Sequence, residues 1–165
     1  MKLSLLVLIV LGLILAGCSE SGNRSAATAS ELVTVNDAQQ ILGGAARLGH
    51  ESQGEAESLP GGREKHCEYV GPGGATLNVV IVTAPSEDAM RKAFAEVRSG
   101  LSSFQHVEEL TGIGDEAFLA QGPSSRRLAA RKGTVMFLLD ARRDNGVDLS
   151  VDEMKKTATH LAGQL

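Results

Sequence analysis

The chain has 165 residues, a formal net charge of −4, 42% apolar residues and 3% aromatic residues, with no tryptophan. That is enough chain for one packed domain without covalent staples. The five rings, Tyr69, Phe94, Phe104, Phe118 and Phe137, are too sparse for a carbohydrate platform or a base-stacking surface, and the acidic balance excludes nucleic acid as a partner.

Lys2 opens a positive segment, and Leu3 to Ala16 is apolar except for Ser4 and Gly12. At about 14 residues the run suits the core of a signal peptide and is short of the ~18–20 that a spanning helix needs. The residues after it, Ser19-Glu20-Ser21-Gly22-Asn23-Arg24-Ser25, are small and polar, with no cationic stop-transfer cluster. An uncleaved membrane helix and an ordinary signal peptide with an incidental cysteine are the competing readings of the run. Its end, Leu15-Ala16-Gly17-Cys18, resembles the lipobox of bacterial lipoproteins at all four positions. The resemblance implies cleavage between Gly17 and Cys18, a diacylglyceryl group on the Cys18 thiol and, as a rule, acylation of the new amino terminus. Two or three acyl chains make membrane attachment stable where one is marginal. With Ser19 following the cysteine, the pattern resembles that of lipoproteins sent to the outer membrane of a diderm cell; in a monoderm the protein would stay on the outer face of the plasma membrane.

Three segments are therefore expected: a signal peptide over 1–17, a lipidated tether over 18–30, and a single α+β domain over 31–165. The tether is Ser/Ala/Thr-rich with little to bury, which reads as flexible chain.

Thr34 with Asp37 predicts a capped helix carrying Ala38, Ile41 and Leu42 on one face, stopped by Gly43-Gly44. Ala45 to Arg63 reads as a polar loop with room for one edge strand. Lys65–Val70 and Thr76–Thr83 predict a hairpin across Gly71-Pro72-Gly73-Gly74. The continuous Thr-Leu-Asn-Val-Val-Ile-Val-Thr run fits a central strand covered on both faces or nearly so. Ser86 then caps an amphipathic helix with Met90, Phe94 and Val97 on its buried stripe and Gly100 at its stop. A linking segment around Phe104–Val107 leads to strands over Ala117–Ala120, Arg127–Arg131 and Thr134–Arg142. Ser150 and Glu153 mark a final capped helix, with Leu149 and Met154 placed as a hydrophobic staple. The expected fold is α+β: an antiparallel sheet of about four to six strands with about three helices on one face.

Cys18 being spent on lipid, Cys67 has no intramolecular partner and reads as a small buried hydrophobe. Gly112-Ile113-Gly114-Asp115-Glu116-Ala117 matches a dinucleotide-binding pattern in letters only. It opens a strand rather than a helix, and its carboxylates sit where a pyrophosphate should. Followed by Phe118, and preceded by a Cys67-Glu68-Tyr69 strand, it resembles a pattern of small actinobacterial lipoproteins and related exported domains of unknown function. That resemblance implies a compact α+β sandwich and carries over no catalytic residue. Those domains often pair a second cysteine; this chain has none to pair.

His50, His66, His106 and His160 lack metal-ligand spacing, and His66 and Cys67 point opposite ways on a strand. Asp140 to Asp148 fails as a calcium loop, since Ala141 and Arg143 fall where acidic ligands are required; Asn145-Gly146 reads as a turn. No serine or cysteine nucleophile signature stands out. Neither a catalytic centre nor a cofactor or metal is expected.

Charge is uneven along the chain: Ser19–Pro123 carries 7 Lys/Arg against 15 Asp/Glu, and Ser124–Leu165 carries 8 against 5. Arg126, Arg127, Arg131, Lys132, Arg142 and Arg143 could gather at one sheet edge. They would either block edge pairing or dock an envelope protein or an anionic envelope polymer. The expected function is a lipid-anchored, non-enzymatic docking module of the cell envelope. A small-ligand-binding or chaperone-like domain, with a pocket lined by phenylalanines, is the alternative, and an unrecognised hydrolase ranks third.

Overall fold

The computed structural model describes residues 27–143 and 149–165. The lipobox-like stretch, the cleavage position, the tether as far as residue 26 and the Asn145-Gly146 turn lie outside the described residues.

Seven strands form one antiparallel sheet: β1 (Arg47–Glu55), β2 (Arg63–Val70), β3 (Thr76–Thr83), β4 (His106–Leu110), β5 (Glu116–Gln121), β6 (Ser125–Lys132) and β7 (Val135–Arg142). Their order across the sheet is β1-β2-β3-β7-β6-β5-β4. Two meanders, one from each half of the chain, meet where β3 pairs with β7. The α+β class is as expected, with a strand count above the expected range. The strand beyond the range is β4, at a segment read as a link, and β1 is the edge strand for which Ala45 to Arg63 left room. Both are largely exposed, so neither carries the apolar alternation by which strands are recognised.

Among the described residues, four helices accompany the sheet: α1 (Ala29–Leu32), α2 (Val35–Leu42), α3 (Glu87–Ser102) and α4 (Val151–Gln164). They do not share one face. Leu77, Val79 and Ile81 of β3, with Leu128, Phe137 and Leu139, pack under α1, α2 and α4. Val82, Phe118, Ala129 and Met136 turn the other way and pack under α3 with Met90 and Phe94. The reason lies in the central strands. Thr76–Thr83, Ala117–Ala120 and Met136–Leu139 are apolar at successive positions, so both sides of the sheet centre need cover. The Phe94 and Phe118 rings, 5.2 Å apart and tilted by 55°, are favourable by about 0.5–1.5 kcal/mol beyond their burial.

Local signals set the helix ends. Thr34 accepts from the Asp37 N–H while Asp37 accepts from the Thr34 N–H, and Gly43 closes α2 at φ 69°. Ser86 caps α3, but the helix continues through Gly100 to Ser102. That glycine has open space around it, and nothing there requires a left-handed turn. Ser150 caps α4 through the Glu153 N–H, whereas the Glu153 carboxylate turns to Lys156 at 2.6 Å. Leu149 and Met154 are both buried in the same cluster.

Residues before the expected domain start pack on the domain. Thr28 caps α1 with Glu31, Ala29 is buried, and Lys65 Nζ donates to the Ala27 carbonyl. The Tyr69 hydroxyl donates to the Val33 carbonyl, which holds this segment on the α2/α4 face.

Candidate functional site

The two faces of the sheet are covered unequally. α3 lies over β4 to β7, and its cluster reaches β3 at Val80 and Val82. Beyond that border, among the described residues, no helix packs on the same face of β1 and β2. The face is bounded at the Glu64 end by the β1–β2 loop. There Ala56 and Leu59 join the α3 cluster, and three backbone bonds fix the turn: Ala56 N–H to Gly62, Leu59 N–H to Ala56 and Gly62 N–H to Leu59.

Strand register decides what stands on this open half. His50 is opposite Glu68, Glu68 opposite Asn78, Asn78 opposite Asp140, and Asp140 opposite Arg127. The result is a polar row across five strands. His66 Nε2 lies 3.3 Å from Asn78 Oδ1, and the His50 and His66 rings are 6.2 Å apart. Beside the row, a cleft of about 400 Å³ opens between β1, β2 and their loop, with Ser52, Glu55, Glu57, Glu64 and His66 in its lining.

One end of the row is locked. The Asp140 side chain is 10% exposed, and its Oδ2 accepts from Arg127 Nε at 3.1 Å and from Arg142 Nη2 at 2.7 Å. The hydrogen bonds that Arg142 donates to Asp140, and then the Asp140 charge, raise the Arg142 guanidinium above its ordinary value. The other end is not locked. Glu55, Glu57, Glu64 and Glu68 form no ion pair among the described residues. Beside the row, Ser52 stands opposite His66, and no hydrogen bond joins them. No group of three or more His, Cys, Asp or Glu among the described residues could hold a metal ion.

The six cations singled out in the sequence do not form one patch. Alternation along β6 and β7 divides them, with Arg127, Arg131 and Arg142 on the α3 face and Arg126 and Lys132 on the other. Arg143 lies past the end of β7 and turns to α2. Each is bound within the fold: Arg126 to the Gly122 and Ser125 carbonyls, Lys132 to Ala162, and Arg143 to Leu42. Arg127 and Arg142 hold Asp140. Arg131, 7% exposed, pairs with Glu116 at 2.6 Å, Asp115 at 3.2 Å and Glu87 at 3.7 Å.

Those bonds also explain the Gly112–Ala117 motif. Gly114 has φ 61° and passes under the Arg131 carbonyl. The Asp115 N–H donates to that carbonyl, and the Asp115 carboxylate accepts from the Gly133 N–H at 2.7 Å. The motif clamps the β4–β5 loop to the β6–β7 turn.

Cys67 is fully buried and free, on the face opposite His66, and burial pushes its thiol up to about 11. Phe94, Phe118 and Phe137 are core residues, and Phe104 is 71% exposed. Four clefts, at β1–β2, beside α1, at the α4 end and beside α3, are lined without any phenylalanine. The open face itself was hidden in the sequence, because its residues come from a strand exposed on both sides and from the polar alternation of β2.

Comparison with models of known protein families, with curated proteins and with solved structures finds no match.

Proposed function

We propose that this chain is a lipid-anchored cell-envelope protein, acylated at Cys18 after cleavage between Gly17 and Cys18. Its α+β domain is a non-enzymatic docking module for another envelope component. The observation that carries the anchor is the lipobox-like Leu15-Ala16-Gly17-Cys18 at the end of a short apolar run. Exported lipoproteins of this kind lie at the outer membrane facing the periplasm in a diderm and on the outer face of the plasma membrane in a monoderm. Docking is favoured over ligand enclosure by the core. Three of the four phenylalanines are packed away in it, whereas half of one sheet face carries no helix among the described residues.

Intact mass spectrometry of the protein from membranes tests the anchor. The expected mass lacks residues 1–17 and carries a diacyl or triacyl modification, and Cys18→Ser abolishes both. An unmodified or soluble species would overturn the reading.

A further inference from the structure

We infer that the half of one sheet face on which no described helix packs, with the adjoining edge of β1, is the docking surface, and that it takes an extended, Lys/Arg-bearing segment of a partner protein. This rests on the docking reading above and goes beyond it in naming the surface and the partner's chemistry.

The first observation is the edge. β1 is nine residues long and, among the described residues, pairs only with β2. Edge strands are usually shortened, covered, or interrupted by Pro or Lys, since their unpaired N–H and C=O groups accept another strand. The opposite edge follows that habit: β4 has five residues, α3 packs on it, and Arg98 bonds Glu109 across the junction. β1 has neither proline nor lysine. Its one irregularity is a bulge between Leu48 and His50, and its pairing with β2 is regular from His50 to Glu55.

The second observation is charge. A strand added to β1 would direct alternate side chains over the open face, towards His50, Ser52 and the cleft. Glu57, Glu64 and Glu68 are there without ion-pair partners among the described residues, whereas Glu55 stands opposite Arg63, in phase with Cys67 on the other face. The cation of β1 is Arg47, at the strand's other end, while Arg127 and Arg142 are held by Asp140. Lysine or arginine at alternate positions of the incoming strand matches that distribution, whereas an anionic partner would meet three carboxylates.

The test uses the full chain, ¹⁵N-labelled, and a ten-residue synthetic peptide alternating lysine with valine. The controls are the same peptide with glutamate for lysine, and spermidine. The expected result is amide shifts concentrated on β1 and on Glu64–Glu68, with no binding of the glutamate peptide. Glu57→Gln, Glu64→Gln and Glu68→Gln together weaken binding by about tenfold at low salt, each charge contributing the modest amount usual for a rim group. Glu96→Gln with Glu108→Gln, on α3 and β4, leaves it unchanged. Absence of binding, shifts spread over the acidic surface at large, equal loss in the control variant, or spermidine producing the same β1 shifts would each overturn the proposal. None of these readouts depends on the acyl group, so failure here and failure of the Cys18 mass are separate results.

Discussion

A Cβ built on Gly114 would lie 2.3 Å from the carbonyl oxygen of Arg131. No side-chain rotation relieves a contact with backbone, so one of the two chains must move. Gly114 also sits at φ 61°, where an L residue is strained. Gly114→Ala is expected to destabilise the domain by about 2–4 kcal/mol, combining a left-handed cost of ~1 kcal/mol with displacement of the clamp. Gly112→Ala supplies the comparison. It has φ 81° but nothing within 4 Å, so only the backbone cost of ~1 kcal/mol applies. Urea unfolding of the two variants separates the terms, and equal losses would show that the close approach does not matter.

Arg131 is the other half of that clamp. Its guanidinium is almost wholly buried, whereas Glu116 and Asp115 are each 45% exposed, so water partly compensates the carboxylates if the arginine is lost. Arg131→Met keeps the apolar stem and is expected to cost about 2 kcal/mol, below the 3–5 usual when a fully buried pair is broken. Arg131→Lys recovers less than half of this, because a point charge cannot serve Glu116 and Asp115 together as the planar fork does. A double-mutant cycle with Glu116→Gln reads the coupling directly.

Side chains that obey a periodicity were legible in the sequence, and those that do not were hidden. Thr34, Ser86 and Ser150 mark three helix starts because capping is a local bond between neighbours in sequence. β3 is recognisable over its full length from its β-branched run. By contrast β1 is exposed on both sides, so Arg47–Glu55 has no alternation to read. α1 is one turn of polar chain whose burial depends on a distant tyrosine. The six cations illustrate the same limit. Their nearness in sequence is real, but alternation divides them between faces, and carboxylates and carbonyls both near and far in sequence bind them. The open face is a product of register, which brings His50, Glu68, Asn78 and Asp140 into line from four separate strands.

The Tyr69–Val33 bond is such a long-range tie, and it can be cut by one atom. Both residues are fully buried, so Tyr69→Phe leaves the Val33 carbonyl without its donor. An unsatisfied buried acceptor costs about 1–3 kcal/mol. The loss should be local as well as global, since the Tyr69 bond joins the end of α1 at Val33 to β2. The expected outcome is faster limited proteolysis near Ala29–Leu32, with the rest of the domain protected. Unchanged cleavage there would mean that packing of Ala29 and Val33 suffices.

Cys67 makes stability fall in alkali. Its buried thiol is pushed from 9.0 to about 11. Over that interval the unfolded chain has released the proton and the native chain still holds it. Stability from this group is therefore complete below pH 9 and is lost as pH rises towards 11, at up to about 1.4 kcal/mol per pH unit. Burial, and then the neighbouring Cys67, raise the Tyr69 hydroxyl in the same direction, so the decline steepens once an unfolded tyrosine begins to titrate. Urea midpoints at successive pH values from 8 upwards should show this fall, and Cys67→Ala should remove its first part while retaining the tyrosine part. The same burial predicts a thiol that reacts with a disulfide reagent only as fast as the domain opens. Rapid native labelling at neutral pH would contradict both expectations.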